Sequence, residues 1–209
     1  MEEQLRTGTT TLGIVCKDGV VLAADKRATA GNLIVDKRAE KVHIINDDVA
    51  VTIAGTVSDA QLLIKLIKAE LKLKEVRTGK KATMKEAANL LGGLQYSNIR
   101  RMSMMPGIAH FLLGGKDKLG THLYDLFPDG SVTRIKDYVS SGSGSVFAYG
   151  VLESQYKENM TTDEGVALAV KCINASLQRD TYSGNGIDVL VVKDSGLRKV
   201  IEKELQYAV

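Results

Sequence analysis

The sequence contains few of the residues that would indicate a disulfide scaffold or a metal site. Its 209 residues include two cysteines, Cys16 and Cys172, and three histidines, His43, His110 and His122. Both cysteines lie in apolar segments, which is typical of buried thiols in a reducing compartment. The histidines show neither an H-E-x-x-H motif nor any other ligand spacing. The sequence therefore predicts no disulfide, no metal ion and no cofactor.

Long hydrophobic runs and a strong excess of one charge are also missing. No uncharged apolar run approaches the roughly 18 residues that a membrane helix needs. Residues 1–8 lack the apolar stretch of a secretory signal. Twenty-eight Lys and Arg residues against 25 Asp and Glu residues leave a net charge of +3, which does not favour nucleic acid or an anionic membrane as a partner. We therefore expect a cytoplasmic protein.

Runs of β-branched and small residues predict a sheet of antiparallel hairpins. Thr10–Cys16 and Val20–Ala24 flank a hairpin-type turn, and Lys41–Asn46 and Val49–Ala54 repeat this pattern around Asp47-Asp48. Strands return later in the chain, over Ile108–Leu113, Thr121–Phe127, Ser131–Ile135 and Ile187–Lys193.

Three capping-box pairs predict helices. Ser58 with Gln61, Thr83 with Glu86, and Thr161 with Glu164 each precede apolar residues at helical spacing. A short charged helix is predicted from about Leu197. Helices in separate blocks between hairpins favour an α+β fold of two stacked antiparallel sheets between helix layers. No linker or composition shift divides the chain, so one domain is expected.

The glycine-rich stretch Ser141–Ser145 does not predict a nucleotide site. No Gly-Lys-Ser/Thr follows it, and its glycines miss the G-x-G-x-x-G spacing because Phe147 takes the last place. No serine lies in a G-x-S-x-G motif either. A Ser-His-Asp triad stays open, because triads assemble in space rather than in sequence.

The threonine run at residues 9–11 belongs to an ordered set of segments. The set comprises Gly8-Thr9-Thr10-Thr11, Asp25-Lys26-Arg27-Ala28-Thr29, Lys41, Ala54-Gly55, Ser141-Gly142-Ser143-Gly144-Ser145 running into Tyr149-Gly150-Val151-Leu152-Glu153, and Arg179-Asp180 with Ser183-Gly184. In order and spacing it resembles the archaeal-type β subunits of the proteasome core particle, which are threonine proteases among the N-terminal-nucleophile hydrolases. The resemblance extends from Gly8 to about Lys193 and implies a four-layer αββα sandwich.

The resemblance also implies a role for each matched residue. Thr9 would be the nucleophile, and residues 1–8 a propeptide removed by self-cleavage between Gly8 and Thr9, leaving residues 9–209 as the catalytic domain. Asp25 and Lys41 would form a charged pair beside Thr9, and Gly55 would supply an oxyanion-hole N–H. The remaining matches would give polar support from Ser143, Asp180 and Ser183, and a substrate pocket lined by Ala28, Thr29, Ala39, Ile53 and Val57.

Elementary chemistry agrees with an N-terminal threonine as nucleophile. A threonine hydroxyl is a poor nucleophile until a base removes its proton. A lysine with a pKa near 10.4 is a poor base at neutral pH, whereas an α-amine with a pKa near 8 is well suited. Only an N-terminal threonine has that amine within reach of its own hydroxyl. Removal of residues 1–8 would therefore also activate Thr9 as a nucleophile, because it creates the α-amine.

The partners follow from the same resemblance. They are α subunits and other β subunits in stacked heptameric rings, an ATP-dependent unfoldase or regulatory cap, and unfolded proteins as substrates. Two alternatives stay open at the level of sequence. One is a non-catalytic ring or scaffold subunit, and the other is a small-molecule amidase with the same nucleophile.

Overall fold

The computed structural model describes residues 8–103 and 107–205. The strands are β1 (Thr11–Cys16), β2 (Gly19–Asp25), β3 (Ala28–Ala30), β4 (Leu33–Asp36), β5 (Val42–Asn46), β6 (Val49–Gly55), β7 (Ala109–Asp117), β8 (Gly120–Leu126), β9 (Val132–Ile135), β10 (Tyr138–Ser141), β11 (Gly186–Lys193) and β12 (Gly196–Glu204). The helices are α1 (Val57–Thr78), α2 (Met84–Ile99), α3 (Ser145–Gln155) and α4 (Thr162–Arg179).

The strands form two five-stranded sheets and a small ribbon. The first sheet has the order β10-β1-β2-β11-β12, and the second has the order β5-β6-β7-β8-β9. In the described part of the chain, strands β3 and β4 pair with each other and with no other strand. All neighbouring strands are antiparallel, as the predicted hairpins require.

Three layers of apolar side chains separate four layers of backbone. The middle layer lies between the sheets, one outer layer lies between the first sheet and helices α3 and α4, and the other lies between the second sheet and helices α1 and α2. Strand β2 shows how this works, because Leu22 points into the middle layer while Val21 and Ala23 point toward α4. A sheet covered on both faces needs such continuous apolar strands. The α+β, αββα architecture is therefore confirmed.

The capping boxes at Thr83 and Thr161 are confirmed. In each, the threonine side chain accepts from the backbone N–H of the glutamate three residues later, and that glutamate accepts from the threonine N–H. The prediction of a capping box at Ser58 was wrong. Helix α1 begins at Val57, its N-cap residue is Thr56, and no side chain caps it. The Thr56 N–H donates to the carbonyl of Ile108, so the sheet fixes this helix start.

The charged helix predicted from about Leu197 was also wrong. Those residues form β12, an edge strand that pairs along β11. Its charged side chains are suited to an edge, where they oppose pairing with another strand. The sequence analysis did not predict strands β3, β4 and β10 or helix α3.

Among the described residues, no helix is long and apolar enough to cross a membrane.

Candidate active site

Thr9 lies two residues before the start of β1. Hydrogen bonds hold both its backbone N–H and its backbone carbonyl. Its N–H donates to Ser143 Oγ over 3.2 Å, and its carbonyl accepts from the Gly144 N–H over 3.3 Å. Gly142 passes so close that a Cβ there would lie 2.0 Å from the Thr9 oxygen, and its φ is +91°. Only glycine fits both conditions. The glycine-rich segment thus wraps the predicted nucleophile rather than a phosphate.

A chain of hydroxyl groups and one carboxylate continues from Ser143. Asp180 Oδ2 accepts from Ser143 Oγ over 2.7 Å and from Ser183 Oγ over 2.6 Å. The hydroxyls of Ser183 and Thr10 are 2.7 Å apart. Because Ser183 gives its single proton to Asp180, the Thr10 hydroxyl donates to Ser183. The structure therefore brings the three predicted support residues together and adds Thr10.

Asp25 and Lys41 form a buried ion pair. Lys41 Nζ donates to Asp25 Oδ1 over 2.7 Å, and the two residues are 4% and 0% exposed respectively. The Asp25 carboxylate also accepts three backbone N–H groups, from Thr10, Arg27 and Gly184. A buried carboxylate needs partners of this kind to offset the loss of water. The carboxylate thus accepts four hydrogen bonds, one of which fixes the Lys41 ammonium.

Burial shifts the titration of the Lys41 ammonium. Removal from water lowers the pKa of Lys41 below its ordinary 10.5, and this effect exceeds the opposing influence of the Asp25 and Asp180 carboxylates. The cationic form is therefore less favoured than on an exposed lysine.

The residue before Thr9 has room only for glycine. The Gly8 N–H donates to Thr29 Oγ1 over 3.4 Å. A Cβ on Gly8 would lie 1.9 Å from Tyr182 Cβ and 2.7 Å from Ser143 Oγ. The close approach of Tyr182 therefore leaves no space for a side chain at this position. The other seven residues of the predicted propeptide lie outside the described residues.

Gly55 ends β6 beside the same site. Its φ is +104°, and a Cβ there would lie 2.3 Å from the carbonyl oxygen of Ile108. Both observations require glycine at this position. Gly55 also borders the cavity next to Thr9, which is where an oxyanion-hole donor would have to lie. Its role as that donor stays a prediction.

A cavity of about 450 Å³ opens beside Thr9, Lys41 and Gly55. All five residues predicted to line a substrate pocket do line it: Ala28, Thr29, Ala39, Ile53 and Val57. The structure adds apolar, polar and acidic side chains to the wall, namely Val35, Asp36, Glu40, His43 and Gln61.

The titratable side chains that line the cavity differ in their exposure to water. Asp36 and Glu40 are exposed, so water screens their carboxylates. Burial lowers the pKa of His43 below 6.5, so its imidazole is neutral at pH 7. The buried part of the cavity includes the uncharged side chains of Thr29 and Ile53, and its one buried charge, the Lys41 ammonium, is paired with Asp25. It is therefore suited to an apolar side chain.

No metal centre is formed by the described residues, since no three His, Cys, Asp or Glu side chains come together as ligands would.

Sequence reasoning missed Thr10 and Tyr182, and also the polar side chains Asp36 and Glu40 at the cavity. The signal for Thr10 was present in the threonine run, but a run of three threonines before a strand is equally typical of β-propensity. Nothing in the sequence marked Tyr182.

Comparison with known proteins agrees with this geometry. The family model described as "Proteasome subunit" matches residues 5–192. A protein of Methanobrevibacter smithii named "Proteasome subunit beta" is 47% identical over 205 residues, which cover 98% of this chain and 96% of that protein. A protein of the same name from Methanococcus maripaludis strain C5 is 44% identical over 200 residues, covering 95% of this chain and 90% of that protein. The chain belongs to the proteasome subunit family.

Proposed function

We propose that the chain is a catalytic β subunit of a proteasome core particle and acts as a threonine endopeptidase. The observation that carries this proposal is the arrangement around Thr9. A buried Lys41–Asp25 pair and the Ser143–Asp180–Ser183 hydrogen bonds surround one threonine at the mouth of one cavity. The similar proteins named "Proteasome subunit beta" add support.

The reaction begins once Thr9 is the first residue. Its α-amine takes the proton of its own hydroxyl, directly or through one water, and Oγ attacks the carbonyl carbon of the scissile bond. The Gly55 N–H donates to the oxygen on which negative charge develops. The protonated amine then gives its proton to the leaving nitrogen, and an acyl ester on Thr9 remains. Water hydrolyses this ester with the amine as base, which regenerates the enzyme.

Lys41 and Ser143 prepare the nucleophile in this scheme. The Lys41 ammonium stabilises the developing alkoxide and disfavours a second positive charge on the nearby amine. Ser143 already accepts a hydrogen bond from the Thr9 nitrogen. It would orient the same nitrogen after processing, so that the amine lone pair faces the hydroxyl.

Self-cleavage uses the same hydroxyl on a different carbonyl. Thr9 Oγ attacks the Gly8 carbonyl carbon, the Gly8–Thr9 amide bond breaks, and the Gly8 acyl group passes to the oxygen as an ester. The proton that the Thr9 hydroxyl loses in this attack passes, directly or through one water, to the Thr9 nitrogen as it leaves. Water then hydrolyses the ester, which releases residues 1–8 with a free Gly8 carboxylate and leaves residues 9–209 as the catalytic domain.

The assembly and the surroundings belong to the same proposal. The subunit would occupy stacked heptameric rings with α subunits and other β subunits, and an ATP-dependent unfoldase or cap would deliver unfolded chains. Its two free, buried thiols are suited to the reducing cytoplasm. A non-catalytic ring subunit would not need Thr9, Asp25 and Lys41 together at one site. An amidase for small molecules would not need a cavity open to a peptide side chain.

One experiment tests the proposal as a whole. The full chain is expressed with candidate α subunits, and the product is analysed by intact mass, native mass and cleavage of fluorogenic peptides. We expect a chain that starts at Thr9, a particle of many subunits and peptide hydrolysis. A particle that retains residues 1–8 and cleaves nothing would instead support the scaffold alternative, and hydrolysis by a free single chain would support the amidase.

Cleavage should occur mainly after large apolar residues such as Leu, Tyr or Phe. Each buried methylene of such a side chain gains about 0.8 kcal/mol, whereas a lone charge beside Ile53 and Ala39 would lose its water without a partner. We expect kcat/KM to be clearly higher after Leu than after Arg or Asp. Fluorogenic peptides that differ only at this residue give the comparison.

The exposed carboxylates near the cavity provide the control for this prediction. Glu40→Gln removes one of them, and it should leave the preference for Leu over Arg unchanged. Faster cleavage after Arg than after Leu by a particle with a single β type, reversed by Glu40→Gln, would contradict the apolar pocket and assign specificity to the acidic wall.

A further inference from the structure

A serine, a histidine and an aspartate form a hydrogen-bonded row outside the site described above. Ser141 Oγ lies 2.7 Å from His110 Nδ1, and His110 Nε2 lies 2.5 Å from Asp125 Oδ1. The imidazole also packs on Phe127, with 4.5 Å between ring centroids. A neutral imidazole satisfies both partners when Nε2–H donates to Asp125 and Nδ1 accepts from the Ser141 hydroxyl.

The row connects the two sheets. Ser141 ends β10 in the first sheet, whereas His110 and Asp125 lie on β7 and β8 in the second. The layer between the sheets is mostly apolar, and the Lys41–Asp25 pair is the other buried polar link described above that crosses it. Apolar contacts are not directional. A hydrogen-bonded row between the sheets can therefore fix their relative position in a way that the apolar layer does not.

Each end of the row leads to one half of the active site. Ser141 is followed directly by Gly142, Ser143 and Gly144, which wrap Thr9. At the other end, His110 lies opposite Ala54 in the sheet, and the neighbouring Ala109 lies opposite Gly55. Thr9, Asp25 and the hydrogen-bonded hydroxyls lie at the first sheet, while Gly55 and Lys41 lie at the second.

The row does not act as a second catalytic triad. Ser141 is 4% exposed, and its hydroxyl is enclosed between the sheets in contact with His110. A nucleophile must reach the carbonyl carbon of a substrate, which a side chain in this place does not do.

We propose that His110 is a positioning residue, which sets the distance between the Thr9 nucleophile and the Gly55 N–H through its hydrogen bond to Ser141. The inference rests on the proposed function, because it concerns the geometry of that reaction. Attack and oxyanion stabilisation need both halves of the site in one fixed arrangement, and small displacements reduce the rate steeply. Asp125 holds the imidazole in the orientation that serves Ser141.

Ser141→Ala is the main test, because His110→Phe would also leave the buried Asp125 carboxylate without its partner. In the assembled particle, we expect kcat for an apolar fluorogenic peptide to fall about 10-fold to 100-fold, with KM little changed because the cavity is intact. Ser141→Thr keeps a hydroxyl and should recover most of kcat. The double variant with His110→Phe should have no lower kcat than His110→Phe alone, because both changes remove the same link.

Ser140→Ala is the matched control. Ser140 precedes Ser141 on β10, is also buried, and donates its own hydrogen bond to the Thr11 carbonyl. Its side chain lies on the other face of the strand. Removal of this hydroxyl should leave kcat near that of the wild-type particle. Equal losses of kcat in the Ser140 and Ser141 variants would overturn the proposal.

Amide hydrogen exchange gives a readout that does not depend on activity. The Gly144 N–H donates to the Thr9 carbonyl, so its exchange reports how well the segment is held on Thr9. We expect faster exchange at Gly144 in Ser141→Ala and unchanged exchange in Ser140→Ala. Unchanged exchange in Ser141→Ala would overturn the positioning role even if the wild-type particle proved inactive. Peptide hydrolysis that survives Thr9→Ala and is lost in Ser141→Ala would assign Ser141 as a nucleophile instead.

Discussion

Replacement of Thr9 by alanine should abolish both peptide hydrolysis and removal of residues 1–8, and the fold should remain intact. No other described residue at the site combines a hydroxyl with a nitrogen that becomes an α-amine on processing. The hydrogen bonds that hold this position use the Thr9 backbone, namely its N–H to Ser143 and its carbonyl from Gly144, so alanine keeps them. Intact mass should show the full-length chain, and fluorogenic peptides should show no cleavage above background.

Thr11→Val is the control for this prediction. Thr11 is a buried threonine two residues away, and its hydroxyl has no hydrogen-bond partner within residues 8–103 and 107–205. Valine has nearly the same shape, so processing and hydrolysis should proceed as in the wild type. If purified Thr9→Ala lost its leader with no other protease present, then Thr9 would not be the residue that performs self-cleavage.

The central part of the fold could be predicted from the sequence because its signals are local. Strand β2 is an uninterrupted apolar run beside a turn, and Thr83 with Glu86 forms a complete capping box. The end of the chain could not be predicted in this way. The charged composition of β12 is typical of an exposed helix, and only its pairing with β11 makes it a strand. That pairing depends on contacts that a local pattern does not contain.

The same contrast between local signals and long-range contacts applies to the residues of the candidate site. Its charged pair was implied by the resemblance, and the positions of Asp25 at the end of one apolar strand and of Lys41 at the start of another agree with it; the two side chains do meet. The glycine-rich segment could be assigned to the site only through the resemblance, since a phosphate loop has similar composition. The contribution of Thr10, which joins Asp25 through its N–H and Ser183 through its hydroxyl, depends on three segments distant in sequence. No spacing rule connects them.

The two buried lysines allow stability to be separated from chemistry. Lys26 forms a buried pair with Asp188 at 3.1 Å, and Lys41 forms one with Asp25 at 2.7 Å. Loss of one partner from a buried pair costs about 3–5 kcal/mol of the free energy of unfolding. Both Lys26→Met and Lys41→Met should therefore lower stability by similar amounts. Only the Lys41 pair lies next to Thr9, so only its loss should also remove activity from particles that assemble.

Lys41→Arg should abolish hydrolysis although it keeps the positive charge. A guanidinium binds a carboxylate best through both of its oxygens, but Asp25 Oδ2 already accepts from the N–H groups of Arg27 and Gly184. The larger planar group would have to displace these donors or turn toward Thr9. We expect kcat to fall at least about 100-fold, as for loss of a well-placed electrostatic group. Peptide hydrolysis per assembled particle measures this, and Lys26→Arg is the matched control.

The pH profile of the wild-type particle provides a second measurement of the same charge. The Asp25 carboxylate 2.7 Å away favours the charged ammonium, and burial lowers the pKa of Lys41 below 10.5, so the charge is lost as the pH rises through that lowered value. Activity should therefore rise as the Thr9 amine loses its proton and then fall again on the alkaline side, below pH 10.5. Lys26→Arg should retain this alkaline limb. Near-normal turnover by Lys41→Arg, with the limb moved beyond pH 10.5, would show that Lys41 contributes only a distant charge, because a guanidinium in the same place would then serve equally well.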